Sequence, residues 1–148
     1  MKAFVKAFVV ATLIAISALA IAAEGPGSRS KKESVNLSTA DFALDHYVAV
    51  TTKGESAGVE RLFAGDFSQK IQASSVLTYG RNAVIRSLKN QNGEILNCRV
   101  NIKIVEKSAD YMIAKITLKF EHFSMTDLAT FAYENDSWKV FKSIHSYK

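Results

Sequence analysis

The sequence predicts an α+β domain in which N-terminal helices pack on a curved, mainly antiparallel sheet. Up to Gly93, apolar residues recur mainly at helical spacing, whereas beyond it apolar and polar residues alternate with a period of two. Helices first and an antiparallel meander afterwards indicate an α+β fold rather than a parallel βαβ sheet. The 148-residue chain is long enough to bury the core of one domain without a disulfide.

The first residues have the features of an export signal. Lys2 and Lys6 precede an uncharged run from Ala7 to Ala23, and Ala20-Ile21-Ala22 fits a signal-peptidase cleavage pattern. We therefore expect a signal peptide at 1–22 and a periplasmic or extracellular protein without membrane attachment after cleavage. A retained anchor is the alternative, but the run is short for a span of about 20 residues.

A flexible linker is expected at 23–37 and the folded domain at 38–148. The segment 24–36 contains the single proline, two glycines, three serines and a run of charges, and it shows no apolar period.

Charge and spacing argue against several function classes. Without Lys2 and Lys6 the chain has 17 basic against 14 acidic residues, and they are dispersed, unlike a nucleic-acid surface. The three histidines and Cys98 show no metal-ligand spacing. Phosphate-loop and dinucleotide fingerprints are also missing, so no metal and no cofactor is expected.

Three helices and an outer strand are expected before Gly93. Ser38-Thr39-Ala40-Asp41 is typical of a helix start, apolar residues follow at helical spacing, and Gly54 marks the end. A short helix is predicted at about 57–63, an outer strand near 68–73 and a third helix at about 81–90.

Four strands are expected after Gly93. The even positions from Cys98 to Ile104 are apolar, and the same alternation runs from Met112 to Phe120. Two further strands are predicted at about 125–133 and 138–147, joined by a polar turn. A concave sheet around the long first helix would leave a cone whose mouth can take a ligand.

This order of elements, the helix beginning "ALDHYVAV" and the ending "TDLATFAYENDSWKVFKS" resemble the nuclear transport factor 2-like superfamily, which includes the SnoaL-like and ketosteroid-isomerase-like folds. The ending is most similar to the lumazine-binding branch, with Asp127, Ala129 and Phe131 before a polar turn and Trp138 and Val140 after it. The resemblance spans about 38–148 and implies a cone-shaped domain.

Tyr47 is the first candidate for chemistry. The segment around it resembles the first helix of ketosteroid isomerases, whose tyrosine donates a hydrogen bond to an oxyanion. By counting along the chain, however, the place of the isomerase base is occupied by Ile71 and that of the acidic oxyanion partner lies near Thr130. Steroid isomerase chemistry is therefore disfavoured, and the alternative is a core tyrosine bonded to a neighbouring group.

His122 and Asp127 are the other candidates. His122 continues the apolar face of the strand from Met112, so in a regular strand it points into the cone. Asp127 would lie near it across a tight hairpin and could fix its tautomer. The alternatives are a solvent-exposed histidine at the strand end and an aspartate that binds turn N–H groups.

The expected ligand-binding residues are mostly aliphatic or aromatic: Tyr47, Phe63, Ile102, Phe120, His122, Phe131 and Trp138. Cys98 lies on an apolar face without basic neighbours, which predicts a buried, inert thiol.

The outer face of the sheet is also partly apolar. Five residues are expected there: Tyr111, Ile113, Phe123, Phe141 and Tyr147. In this superfamily a second copy commonly covers that face, so a homodimer is expected.

Three hypotheses follow. The favoured one is an exported, non-catalytic module that binds a small, largely apolar molecule. The second is an isomerase or polyketide-cyclase-type enzyme that uses Tyr47 with His122 or Asp127. The third is a dimeric interaction protein whose pocket has collapsed.

Overall fold

The computed structural model describes residues 34–148. The predicted signal peptide, 1–22, and most of the predicted linker lie outside the described residues. The described end of that linker packs onto the domain, since Leu37 is buried and its carbonyl accepts a hydrogen bond from the Trp138 N–H. Packing of the domain therefore begins before Ser38.

The first helix, α1 (Ala40–Lys53), has the bounds that its sequence predicts. The Thr39 side chain accepts a hydrogen bond from the Phe42 N–H and so caps the helix start. Gly54 ends the helix with a φ of 65°, a left-handed conformation that glycine adopts without strain. One face is buried, including Tyr47 near its centre.

Between α1 and the meander lie a short helix α2 (Val59–Leu62), strands β1 (Phe63–Gln72) and β2 (Val76–Gly80), and helix α3 (Arg81–Asn90). The third helix has its predicted bounds. The outer strand is longer than expected, and β2 was not predicted. Every residue of β2 is exposed, so it lacks the buried alternation that identifies a strand in sequence.

The remaining strands are β3 (Arg99–Lys107), β4 (Tyr111–Lys119), β5 (Ser124–Glu134) and β6 (Ser137–Tyr147). Together the strands form one six-stranded sheet in the order β2-β1-β6-β5-β4-β3. Among the strand pairings of the described residues, only β1/β6 is parallel. The α+β fold with a mainly antiparallel sheet is thus confirmed.

The inner face of the sheet supplies most of the core, together with α1 and α2. The turn before β6 contains Asn135 and Asp136 with positive φ, the geometry of a tight hairpin. Within residues 34–148, no helix combines the length and apolar character that crossing a bilayer requires.

Gly54 should be the glycine least tolerant of substitution. A Cβ there would lie 2.6 Å from the backbone nitrogens of Gly93 and Glu94, in addition to the positive φ. We expect Gly54→Ala to lower the free energy of unfolding by roughly 2 to 4 kcal/mol in urea titrations.

Gly93→Ala is the matched control, because Gly93 has a φ of 81° but open space around its Cβ position. Gly93→Ala should lower the free energy of unfolding by only about 1 kcal/mol, the cost of placing alanine at a positive φ. Equal losses at the two positions would contradict the proposed steric contribution.

Candidate functional site

A cavity of about 600 Å³ lies between α1, α3 and the inner face of the sheet. Tyr47, Phe63 and Ile116 contribute to its closed end and are almost fully buried. Exposed side chains, among them Tyr79 and Phe123, line its open end. The lining is mainly apolar, so the cavity has the size and character of a small-molecule site.

The buried carboxylate of Asp127 is the centre of the polar part of the cavity, with 3% of the residue exposed. Its Oδ2 accepts a hydrogen bond of 2.6 Å from the Tyr47 hydroxyl, and its Oδ1 accepts one of 2.8 Å from the Ser143 hydroxyl. His145 Nε2 lies 3.4 Å from Oδ2. Donors from α1 and β6 thus compensate the cost of burying the carboxylate on β5.

Strand pairing places Asp127 and His145 directly opposite each other on β5 and β6. The pairing of these strands shifts register between Thr130 and Phe131, where β6 has one additional residue, Phe141. Such a bulge reverses the alternation of the strand. Trp138 and Val140 point inward before it, whereas Ser143 and His145 point inward after it.

Two protonation arrangements satisfy His145. Its Nε2 lies 3.3 Å from the Gln69 side-chain nitrogen as well as 3.4 Å from Asp127. A protonated Nε2 donates to the carboxylate, and the Gln69 amide then turns its oxygen toward the ring. An unprotonated Nε2 instead accepts a hydrogen bond from the amide of Gln69.

The Tyr47 hydroxyl stays protonated over a wide pH range. Burial raises the pKa of this phenol well above 10.0, and the charge of Asp127 and the hydrogen bond to it raise the pKa further. The single hydroxyl proton is donated to Asp127, so Tyr47 cannot act as a base, and it has no second proton to give to a ligand.

Comparison with known proteins gave matches among solved structures, but no protein-family model and no curated protein sequence matched. A nuclear transport factor 2-like protein of unknown function from Silicibacter pomeroyi superposes with a TM-score of 0.61 at 18% identity, covering 73% of this chain and 92% of that one. A second, from Shewanella baltica and also of unknown function, has a TM-score of 0.58 at 14% identity, with coverages of 72% and 88%.

A nuclear transport factor 2-like protein from Cytophaga hutchinsonii has a TM-score of 0.57 at 15% identity, covering 73% of this chain and 97% of that one. The chain has the nuclear transport factor 2-like fold. At these identities the likeness extends to the fold alone.

Of the three candidate residues, Tyr47 and Asp127 are in contact and line the cavity, whereas His122 lies outside it. Strand β4 ends at Lys119, so the expected regular strand stops before His122. His122 lies in the β4–β5 connection with 84% of its side chain exposed, near the Glu121 carboxylate at 3.8 Å. The prediction that it points into the cone was wrong, and the alternative, a solvent-exposed histidine beyond the strand end, is what the structure has. The histidine opposite Asp127 is His145.

The carboxylate bonded to Tyr47 lies close in sequence to the position that the isomerase count assigned to an acidic partner. That count placed an acidic partner near Thr130, whereas the carboxylate that reaches Tyr47 is three residues earlier, at Asp127. Ile71, at the place of the isomerase base, does line the cavity and lies opposite His145 in the β1/β6 pairing.

The structure divides the expected ligand-binding residues into two sets. Tyr47, Phe63 and Phe120 line the cavity. Outside it lie Phe131, buried against the Tyr47 ring, and Trp138, which packs beside Tyr133. Ile102 also lies outside it, 40% exposed on β3, which is the edge strand of the sheet formed by residues 34–148.

His145, Ser143 and Gln69 are the polar residues around Asp127 that sequence reasoning missed. A regular alternation from Val140 would place Ile144 inward and His145 outward, and the bulge at Phe141 makes the opposite true. The adjacent apolar pair Val140-Phe141 was the available signal, since it interrupts the alternation.

The same bulge changes which residues lie on the outer face of the sheet. Tyr147 lies on the inner side of β6 and lines the cavity, as does Phe123 from the β4–β5 connection. The expected set on the outer face is thereby reduced to Tyr111, Ile113 and Phe141, all half-buried.

Two further side chains lie outside the cavity lining. His46 is half-buried on α1, its Nε2 has no hydrogen-bond partner among the described residues, and burial lowers its pKa. Cys98 is half-buried rather than fully buried, and burial raises the pKa of its thiol, which favours the unreactive form.

Removing the Tyr47 hydroxyl should destabilise the fold. Tyr47→Phe leaves one oxygen of buried Asp127 without its closest donor, and we expect a loss of about 1.5 to 3 kcal/mol in urea unfolding at pH 7. Because the folded pKa of Tyr47 is raised, this advantage of the wild type should hold up to about pH 10. Above that it should decline, since the unfolded chain releases the phenol proton first.

Tyr133→Phe is the control, because it removes the hydroxyl of an exposed tyrosine and should change stability by less than about 0.5 kcal/mol. A wild-type advantage over Tyr47→Phe that grew above pH 10 would contradict the assigned direction of the pKa shift.

Proposed function

We propose that this chain is an exported binding module that holds one small, largely apolar molecule in the cavity, without catalysis. The observation that carries the proposal is the open cavity of about 600 Å³ whose polar groups are gathered at Asp127 and His145. An apolar body with a few placed polar groups is the usual composition of a small-molecule site. An open cavity of this size also argues against the collapsed-pocket hypothesis.

An acid–base enzyme is the second candidate, and the pairing of Asp127 with His145 favours it. An imidazole held by a carboxylate at a cavity wall could transfer a proton. Two features argue for binding instead: the Tyr47 proton is committed to Asp127, and the position that the isomerase pattern assigns to its base is the apolar Ile71, which lines the cavity.

Native mass spectrometry of the protein purified from its own host tests the proposal. We expect a retained molecule of small mass on the wild type and its loss in Ser87→Trp, whose indole would occupy the cavity from α3. Asn82→Trp, on the same helix but outside the cavity lining, should retain it. The measured protein mass should also lack residues 1–22 if the signal peptide is cleaved.

Two outcomes would oppose binding without catalysis. Retention by Ser87→Trp would place the molecule elsewhere. Conversion of the released molecule by the wild type but not by His145→Gln would favour the enzyme.

We also propose a homodimer through the outer face of the sheet. Its support is the half-buried apolar set on that face, which includes Ile113, Leu128 and Ile144. Analytical ultracentrifugation of the domain at micromolar concentration should give a dimer, and Ile113→Glu should shift it toward monomer. A monomeric wild type would overturn this proposal.

A further inference from the structure

We infer that the cavity selects uncharged molecules and discriminates against organic anions. The inference rests on the proposed binding function and specifies its ligand class: an uncharged, ring-containing apolar molecule. It follows from the charges around the cavity, the hydrogen-bond donors already in use and the aromatic side chains at the open end.

The charge balance inside the cavity disfavours an anion. Asp127 is a buried carboxylate, and none of the residues that line the cavity, all within 34–148, is lysine or arginine. A protonated His145 would carry one positive charge, but Asp127 at 3.4 Å offsets it. An entering carboxylate or sulfonate would lose its hydration without gaining a counter-charge.

Several basic side chains close to the lining in sequence do not supply that charge. Arg86 and Lys89 lie on α3 beside lining residues but belong to a separate surface depression, where Lys89 is paired with the Glu60 carboxylate. Lys70 and Lys119 are exposed and alternate with lining residues, so they point away from the cavity. The Arg81 guanidinium is bonded to the backbone carbonyls of Phe63 and Glu60.

The hydroxyl donors at the closed end are also occupied. Tyr47 and Ser143 each have one hydroxyl proton, and both protons go to Asp127. Next to Asp127 a ligand therefore meets the imidazole of His145 and the amide of Gln69, which can exchange single hydrogen bonds with a neutral hydroxyl, carbonyl or amine.

The open end favours a flat ring. Phe120 and Phe123 are stacked with ring centroids 4.5 Å apart, and the Tyr147 ring lies 6.4 Å from that of Phe123. Aromatic side chains in this arrangement offer faces and edges against which a planar apolar body packs.

Two fluorescent probes that differ by a single sulfonate group provide the test. N-phenyl-1-naphthylamine is uncharged, and 1-anilinonaphthalene-8-sulfonate is the same skeleton with a negative charge. In fluorescence titrations of the wild type, the Kd of the neutral probe should be lower than that of the sulfonate by a factor of about ten or more. The reasons are repulsion of the sulfonate by Asp127 and the loss of its hydration. Ser87→Trp should weaken both.

Met125→Lys should reverse the preference, because Met125 is a half-buried lining residue and pairs with Tyr147 at the open end. Thr126→Lys adds the same charge at the next residue of β5, outside the lining, and should leave the ratio of the two affinities unchanged. This pair separates a local counter-charge from a change in net charge.

The outcomes distinguish the inference from the function on which it rests. Equal or tighter binding of the sulfonate by the wild type, abolished in Ser87→Trp, would overturn the selectivity and keep the binding site. Absence of binding by either probe, or binding that Ser87→Trp leaves unchanged, would count against the proposed function itself.

Discussion

The arrangement of α1, β5 and β6 around the cavity depends on the burial of the Asp127 carboxylate. A carboxylate with 3% exposure is tolerated only when hydrogen-bond donors replace its hydration. Those donors come from α1, through Tyr47, and from β6, through Ser143, and His145 Nε2 lies 3.4 Å from the same carboxylate. The same contacts that stabilise the charge therefore fix the helix and two strands relative to one another.

The general architecture was predictable because it follows from local patterns. The cap at Thr39 and the glycine at 54 delimit α1, and the change of apolar period after Gly93 separates the helices from the meander. Tyr47 and Asp127 were also identifiable as polar groups on faces that are otherwise apolar. The sequence left two possible hydrogen-bond partners for the Tyr47 hydroxyl, a ligand or a neighbouring residue. In the structure its partner is Asp127.

The identity of the histidine was not predictable from alternation. A single additional residue at Phe141 exchanges the two faces of β6, so every residue after it faces the side opposite to a regular strand. His122 fails for a different reason: β4 ends three residues earlier, and strand ends are not marked by the apolar pattern. Strand β2 escaped detection because it is exposed throughout and is recognisable only by its pairing with β1.

The hydrogen bond between Tyr47 and Asp127 also helps to keep the cavity open. Apolar surfaces normally close on one another to native packing density. Here the 2.6 Å hydrogen bond holds α1 at the distance of a tyrosine side chain from β5. The smaller side chains of Thr51 and Ala83 do not fill the space beyond that point. Since the hydroxyl stays protonated and the carboxylate cannot leave its donors without cost, the hydrogen bond maintains this spacing between α1 and β5.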